Sequence, residues 1–286
     1  MSRQSRVLEA IRDGTVGTRS IRAVCPFCER KGYTGRKKNL DFDKARGWWL
    51  CWRCNSRGKI DGWEISNEAA NLEPSEVTTF DPPKSFISIG TEHGAKSFLT
   101  YGSRTYAEKR GIAKPVWSAA KLGQLMRSED GQDFTGRLIV PILSMDEDFW
   151  LGWVGRDFTG QQESYKYPIG MNRGRVLYNQ RALYVKTDVP VLGVEGTLDT
   201  MPFFPNAVAF LGTFSQPQID MMKDARRPVL VVLDGDAWRK AEVLAWLLHA
   251  DGVRAGSYRL APKMDPDECV EEVLYAMENI GKHLIR

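Results

Sequence analysis

The chain has 286 residues, of which 42% are hydrophobic and 27% are charged, so it is long enough to form more than one domain. No apolar run approaches the ~20 residues of a membrane-spanning helix, and the first residues lack the apolar segment of a signal peptide. The composition therefore excludes a membrane protein and predicts a cytoplasmic one.

The net charge of +4 is unevenly distributed. Residues 1–65 contain 15 Lys and Arg against 7 Asp and Glu, a balance of +8, whereas residues 66–286 contain 25 against 29, a balance of −4. A basic segment joined to a mildly acidic remainder favours a nucleic-acid partner. A solvated charged surface is the alternative explanation, and it accounts for many such imbalances.

The chain begins with an apolar spacing that predicts a short amphipathic helix over residues 4–13. Further on, residues 39–42 and 47–50 have the composition of two strands that form a hairpin. Basic residues surround that hairpin and alternate with tryptophans. Phosphate-neutralising cations beside aromatic rings are typical of single-strand binding, so Trp48, Trp49 and Arg53 are candidate contacts to a single-stranded nucleic acid, which would be the template if the chain were a polymerase. At least one of the tryptophans is also needed for the small core.

Four of the five cysteines form one pattern. Cys25 and Cys28 make a C-x₂-C pair, and Cys51 and Cys54 make a second pair after an interval of 22 residues. Two such turns close a tetrahedral Cys₄ shell around Zn²⁺, and a closed shell leaves no position for a substrate. We therefore expect residues 1–65 to form a small β zinc-ribbon domain with structural zinc.

The middle of the chain reads as a linker followed by a mixed subdomain. Residues 66–85 are polar and contain proline, which is typical of a linker. Residues 86–186 are predicted to form an α+β subdomain with a helix over 95–110 and a hairpin of strands 137–143 and 149–155.

From residue 187 the chain alternates strands and helices, the pattern of a mostly parallel sheet covered by helices. The predicted strands cover residues 190–194, 207–211, 229–233 and 255–260. The predicted helices cover residues 197–204, 215–226, 237–251 and 267–282. We therefore assign residues 187–286 to an α/β domain.

Acidic residues directly follow two of these strands. Glu195 follows the first strand, and Asp234 and Asp236 follow the third. Ligands bind beyond the carboxyl ends of parallel strands, and three carboxylates at such an edge repel each other unless a divalent cation lies among them. The sequence therefore predicts a Mg²⁺ site with a phosphate-containing substrate.

These acidic motifs resemble the Toprim domain shared by bacterial-type primases, topoisomerases and related nucleases. Other segments resemble primases in order and spacing: 107–112, 136–142, 152–156, 166–168, 177–178, 209–213 and 265–268. With the ribbon in front, nearly the whole chain resembles the bacterial and phage (DnaG-type) DNA primases. Two places depart from that family pattern. Residues 168–171 replace an Asn-Ser-Pro run, and Trp238 stands where glycine often follows the second acidic motif.

The resemblance implies roles for individual residues. Catalytic Mg²⁺ or Mn²⁺ would be held by Glu195, Asp234 and Asp236, with Asp199, Asp265 and Asp267 extending the cluster. Nucleotide and template would be bound by Arg137, Arg156, Lys166 and Arg173. Asp265 and Asp267 also fit a helix cap, and the four cations also fit an exposed surface, so those alternatives stay open. Whether Glu195 is a base or a metal ligand stays open too.

The resemblance implies a phage-type DNA primase without a helicase domain. Such an enzyme synthesises a short RNA primer from ribonucleoside triphosphates on a single-stranded DNA template, and a separate replicative helicase is a further partner that the sequence leaves open. Two other hypotheses remain. A Toprim-type Mg²⁺-dependent nuclease with a DNA-binding ribbon would cut DNA without nucleotides, and a non-catalytic template or origin binder would not need its acids.

Overall fold

The computed structural model describes residues 3–12, 14–16, 20–33, 37–43, 47–59, 78–127 and 131–285. The chain divides into two compact units, Met1–Ser75 and Glu76–Arg286. The division falls within the predicted linker, most of which lies outside the described residues. Among the described helices, none combines the length and apolar composition of a bilayer span.

The N-terminal unit is an antiparallel sheet preceded by one helix, which confirms the predicted β domain. Helix α1 covers Arg3–Arg12, close to the predicted 4–13. The strands are β1 (Thr15–Val16), β2 (Ser20–Ala23), β3 (Leu40–Asp43), β4 (Trp48–Cys51) and β5 (Arg57–Lys59). They lie in the order β1-β2-β3-β4-β5, each antiparallel to the next.

The core of this unit is small. Val7 and Ile11 of α1 are buried in it together with Trp49 of β4. The ring of Phe27 stacks on that of Trp49, with centroids 5.4 Å apart. Gly58 lies opposite Trp49 in the β4–β5 register, and a Cβ there would come within 2.9 Å of the indole. Glycine therefore allows β5 to lie directly against the tryptophan.

The C-terminal unit begins with a second antiparallel sheet of order β10-β9-β8-β7-β6. Its strands are β6 (Phe86–Ser88), β7 (Gly123–Leu125), β8 (Arg137–Leu143), β9 (Trp150–Asp157) and β10 (Tyr165–Lys166). Its helices are α2 (Glu92–Lys96), α3 (Tyr101–Lys109) and α4 (Lys114–Ala119). Strands β8 and β9 form the predicted hairpin. The chain joins this sheet before residue 86, since the Phe80 N–H donates to the Trp150 carbonyl oxygen at 2.8 Å.

The single helix predicted over residues 95–110 is wrong. The chain leaves α2 at Ser97, which is extended (φ −69°, ψ 134°), and then forms a 3₁₀ turn over Phe98–Thr100 before α3. The Ser97 Oγ accepts a hydrogen bond from the Leu99 N–H at 3.2 Å. A serine that caps the next turn starts a new helix instead of continuing the previous one.

A four-stranded parallel sheet of order β12-β11-β13-β14 forms the remainder of the fold, as predicted. Its strands are β11 (Val191–Val194), β12 (Ala207–Ala209), β13 (Val229–Val231) and β14 (Ala255–Ser257). Its helices are α5 (Gln216–Lys223), α6 (Trp238–Ala250) and α7 (Val270–Glu278). Leu192 and Leu230 pack into one core and Val191 and Val231 into another, because successive side chains point to opposite faces of a sheet.

Two of the helices predicted in this domain differ in the structure: one is a 3₁₀ helix, and the other is divided into three parts. Residues 197–204 form a 3₁₀ helix, Leu198–Phe203, which contains Pro202 and so lacks one backbone donor. Residues 267–282 divide into the 3₁₀ turn Pro266–Glu268, helix α7 and a second 3₁₀ turn.

The two sheets of the C-terminal unit share one core. Val140 of β8 and Val154 of β9 belong to the same buried cluster as Leu192 and Leu230. Residues of the antiparallel sheet are therefore held in a fixed position relative to the carboxyl edge of the parallel sheet.

Candidate functional site

The four predicted zinc ligands converge in the N-terminal unit. The Sγ atoms of the four cysteines lie within 4.8 Å of one another, and all four side chains are buried. The Cys25–Cys54 and Cys28–Cys51 sulfur pairs are each 3.6 Å apart. That separation is close to the ~3.8 Å edge of a tetrahedron with Zn–S bonds of about 2.3 Å. The sulfurs therefore fit a structural zinc ion.

Burial and mutual contact split the thiol pKa values. The hydrogen bond from Cys25 lowers the pKa of Cys51 to about 5, and the same contact, together with burial, raises the pKa of Cys25 far above its ordinary value. Burial raises the pKa of Cys28 to about 12. Without a cation, the Cys51 thiolate is therefore stabilised by a hydrogen bond from a neighbouring thiol that keeps its proton. A divalent ion would instead favour the deprotonated form of all four cysteines.

The structure corrects one of the predicted template contacts in the ribbon. Trp49 is 3% exposed and stacks on Phe27, so its ring fills the core and has no face available to a base. Trp48 is only partly buried, and the Lys59 Nζ lies 5.4 Å from its ring centroid. The Arg53 guanidinium lies 5.3 Å from the Tyr33 ring. These cation–aromatic pairs remain candidates for nucleic-acid contact.

Six acidic side chains lie at or near the carboxyl edge of the parallel sheet. Glu195 directly follows β11, and Asp234 follows the adjacent strand β13. Asp236 is exposed in the turn that leads into α6. The other three acids lie in or beside two 3₁₀ turns that pack against each other, namely Asp199, Asp265 and Asp267. Electrostatic interactions connect five of these acids, namely Glu195, Asp199, Asp234, Asp265 and Asp267.

Mutual repulsion among these acids is visible in their pKa values. Burial, followed by the negative charges of Asp267 and Asp234, raises the pKa of Asp199 to about 8. Burial likewise raises the pKa of Asp234 to about 6, with Glu195 contributing next. Burial and neighbouring acids also raise the pKa of Asp265. A divalent cation would relieve this repulsion.

The donor set fits such a cation bound together with phosphate. The Asp267 Oδ1 atom is buried and has no hydrogen-bond partner among the described residues. Among the described residues, the four cysteines are the only set of three or more potential metal ligands within 4.8 Å of one another. The carboxylates therefore do not form a complete coordination shell by themselves. Mg²⁺ commonly takes one or two carboxylates and completes its shell with water and substrate phosphate, and Mn²⁺ favours the same oxygen ligands.

Arg110, at the end of α3, is a site residue that the sequence analysis missed. Its Nη1 donates to Asp267 Oδ2 at 2.7 Å, and the Asp267 side chain is only 8% exposed. Its Nε donates to the Tyr106 hydroxyl at 3.3 Å, and the Arg156 Nε donates to the same oxygen at 3.0 Å. Its only sequence signal was its place in the primase-like segment 107–112. Arg110 therefore fixes one acid and links the cluster to Arg156.

Arg156 continues this chain of contacts towards the acids. Its guanidinium lies 4.6 Å from the ring centroid of Tyr165 on the neighbouring strand. Burial raises the pKa of Tyr165 to about 12, and the charge of Asp199 is the next cause. Arg156 is thus held beside the acidic edge by two tyrosines. Lys166 is held differently, since its Nζ donates to the Asp133 carbonyl oxygen at 2.7 Å.

Arg173 lies beside the loop that follows β12, in a cavity of about 710 Å³. The cavity is lined by residues 170–174 and 210–213, and the Arg173 guanidinium lies 4.4 Å from the Tyr167 ring centroid. The Gly212 N–H donates to the Glu195 carbonyl oxygen at 3.2 Å, so the cavity adjoins the first acid. The cavity includes part of segment 168–171, where the sequence departs from the primase pattern.

Arg137, predicted to bind nucleotide or template, is instead buried. Its side chain is 2% exposed, and its guanidinium donates to the carbonyl oxygens of Gly155 (3.0 Å) and Glu163 (2.8 Å) and to Gln162 Oε1 (3.0 Å). This corrects the prediction, because all three contacts are internal. Arg137 supports the loop between β9 and β10.

Solved structures share this fold, although the sequence matches no known protein-family profile and no curated protein. A DnaG catalytic core matches with a TM-score of 0.53 and 22% identity, over 64% of this chain and 74% of that one. A DnaG primase catalytic domain bound to single-stranded DNA matches with a TM-score of 0.52 and 22% identity, over 64% and 75%. The zinc-binding and RNA polymerase domains of the Aquifex aeolicus primase match with a TM-score of 0.53 and 19% identity. That match covers 99% of this chain and 85% of the Aquifex aeolicus chain.

The chain has the fold of the DnaG-type primases. The match to the Aquifex aeolicus protein includes its zinc-binding domain, which agrees with the Cys₄ cluster. Within this primase fold, the acids follow the parallel strands and the cations come from the antiparallel sheet and the segment that follows it.

Arg137→Gln should destabilise the primase fold by about 3 kcal/mol, because it leaves buried carbonyl oxygens without their charged donor. Urea unfolding followed by circular dichroism measures the change. Arg226→Gln is the control, since Arg226 is exposed, and it should stay within about 0.5 kcal/mol of the wild type. Unchanged stability with lost nucleotide affinity would instead restore a binding role for Arg137.

The raised pKa of Asp199 predicts how stability varies with pH. Its carboxyl group binds a proton more tightly in the folded protein (pKa about 8) than in the unfolded chain, where aspartate titrates near about 3.9. In Mg²⁺-free solution, the stabilisation from that proton is therefore complete below about pH 4 and is lost as the pH rises towards 8. Asp199→Asn should flatten this fall in unfolding free energy, as measured by urea titration at several pH values. Parallel pH curves for the two proteins would contradict the prediction.

Proposed function

We propose that the protein is a DNA primase, a nucleotidyltransferase that copies single-stranded DNA into a short RNA primer from ribonucleoside triphosphates. The observation that carries the proposal is the placement of Arg156 and Arg173 beside the edge where Glu195 and Asp234 follow adjacent parallel strands. Acids that bind a metal and cations that bind phosphates then serve one reaction centre.

The chemistry required at such a centre is the joining of a 3′-hydroxyl to an α-phosphate with release of diphosphate. Bound Mg²⁺ or Mn²⁺ would supply neutralisation of charge on the attacking and leaving oxygens. Glu195, Asp234 and Asp236 would hold the ion, with Asp199, Asp265 and Asp267 around them. Arg156, Lys166 and Arg173 would bind triphosphate and template, and Arg110 would hold Asp267 in place.

The N-terminal unit would bind the template. Its zinc would stabilise the ribbon, since the four sulfurs fill the coordination shell and leave no open position for chemistry. Its cation–aromatic pairs at Trp48 and Arg53 have the composition of a single-strand surface. One neighbour of this fold was solved with single-stranded DNA bound, which supports the same class of template here.

The test is to incubate the full chain with single-stranded DNA, Mg²⁺ and labelled ribonucleoside triphosphates, and to size the products on a denaturing gel. We expect short RNA products that require template, metal and nucleotides. Scission of the DNA without nucleotides would replace the proposal with a nuclease. Template binding that is indifferent to Mg²⁺, without any product, would replace it with a non-catalytic binder.

A further inference from the structure

A further cation, Arg259, lies at the same edge of the parallel sheet. The Arg259 guanidinium lies 4.2 Å from the ring centroid of Trp238, the first residue of α6. Trp238 is the residue at which the sequence departs from the primase pattern. Arg259 follows β14 by two residues, so both side chains belong to the carboxyl end of the sheet.

Arg259 lies next to the acids by strand register and by direct packing. Val231 of β13 pairs with Ser257 of β14, so the strands reach Asp234 and Arg259 at nearly the same level. The Gly235 N–H donates to the Met264 carbonyl oxygen at 2.9 Å. A Cβ on Gly235 would lie 1.8 Å from the Ala261 carbonyl oxygen. The segment after Arg259 is therefore packed tightly against the turn that carries Asp234 and Asp236.

The Arg259 side chain is exposed, and its guanidinium makes no hydrogen bond or ion pair to any residue that the structure describes. The Arg239 guanidinium lies 5.1 Å from the same indole ring, and Lys240 and Lys263 are exposed in the adjoining segments. An arginine that lies on a ring keeps its planar fork available to a phosphate while its side-chain motion is restricted.

The position of Arg259 mirrors that of Arg173. Arg173 borders the loop after β12 and lies on Tyr167, whereas Arg259 follows β14 and lies on Trp238. The strand order places the acids of β11 and β13 between them. Three strand spacings of about 4.8 Å separate β12 from β14, a span of roughly 14 Å. A phosphate chain that crosses the acids would therefore meet a cation on each side.

We propose that Arg259, positioned by Trp238, is a phosphate-binding residue on the β14 side of the acidic edge. This inference rests on the proposed primase function and extends it to a residue pair that the sequence comparison did not suggest. The phosphate belongs either to the polynucleotide backbone or to the nucleoside triphosphate, and the two sources are separated by the experiment.

The experiment measures binding by the full chain of Arg259→Gln in two arms. One arm uses a fluorescent oligothymidylate of about 20 nucleotides without Mg²⁺, titrated between about 50 and 200 mM salt, and the other uses a fluorescent ribonucleoside triphosphate with Mg²⁺. Loss of one phosphate contact should lower the slope of log affinity against log salt by about 0.7 for a single strand. A loss confined to the second arm assigns Arg259 to the triphosphate.

Arg254→Gln is the matched control. Arg254 lies at the amino-terminal end of β14, away from the acids, and its side chain is 63% exposed. It should bind like the wild type in both arms. Trp238→Ala should reproduce much of the Arg259→Gln loss, and Trp238→Phe should restore binding, since a phenyl ring still supports a guanidinium.

Unchanged binding by Arg259→Gln in both arms would overturn the inference, and so would an equal loss with Arg254→Gln. Neither arm requires primer synthesis. If the wild-type protein makes no primers but Arg259→Gln still weakens phosphate binding, only the primase function is refuted. If the wild-type protein makes primers and Arg259→Gln binds phosphate normally, only the role of Arg259 is refuted.

Discussion

Asp234→Asn should abolish primer synthesis while leaving the binding of single-stranded DNA nearly intact. Asp234 follows β13, next to Glu195 on β11, and its pKa is raised to about 6 by burial and by the neighbouring acids. A neutral amide carries no negative charge and is therefore a much weaker ligand for a divalent cation than the carboxylate. Metal-based charge stabilisation contributes several kcal/mol to a transition state, so we expect a loss of roughly 10³-fold or more in labelled ribonucleotide incorporation.

Asp224→Asn is the matched control for that loss. Asp224 is exposed at the C-terminal end of α5, and the same substitution there should leave the rate of incorporation unchanged. The DNA affinity of Asp234→Asn, measured by fluorescence anisotropy, should stay near that of the wild type because the template contacts that we propose lie on the cations and the ribbon. Primer synthesis by Asp234→Asn would show that the metal assignment is wrong.

The parallel sheet was predictable because its strands are nearly continuous apolar runs. Residues 191–194 and 229–233 are buried on both faces, and a strand that is covered on both sides has that composition. The acids that follow such runs must then lie at the carboxyl edge. The strand order β12-β11-β13-β14, which makes Glu195 and Asp234 neighbours, depends on packing across the sheet and could not be read from the same pattern.

The two wrong site residues show what a motif leaves undetermined. Arg137 lies inside a primase-like segment, but sequence similarity gives no exposure, and the buried β8 strand carries this guanidinium into the interior. For Trp49 the signal was present. Alternation along β4 places Trp49 on the same face as Cys51, and therefore towards the zinc-centred core.

Arg110 was missed for the opposite reason. Its partner Asp267 is 157 residues away in the chain, and no local pattern reports that contact. Only the shared core of the two sheets brings the end of α3 to the acids. Long-range ion pairs of this kind depend on tertiary packing, which the composition of either segment does not specify.

Removing zinc should unfold the N-terminal unit and leave the C-terminal unit folded. A structural zinc site contributes about 10–16 kcal/mol of binding free energy, as much as the whole stability of a typical domain. The ribbon core consists of a few side chains around Trp49 and the cysteines, whereas the C-terminal unit has two large cores of its own. Cys51→Ser should therefore lose zinc and the near-ultraviolet circular dichroism signal of Trp49, as measured by metal analysis and spectroscopy.

The same variant separates template use from the chemistry of joining. Cys51→Ser should reduce primer initiation on single-stranded DNA by at least about tenfold, the effect of losing 1.4 kcal/mol of template binding. Extension of a preformed primer should survive in part, because the acids and Arg110 belong to the other unit. Cys269→Ser is the control, since Cys269 lies beside α7, far in sequence from the zinc ligands, and it should retain both zinc and activity. If Cys51→Ser lost initiation and extension equally, the ribbon would not be a separate template-binding unit. Both steps would depend on the ribbon only if it took part in catalysis.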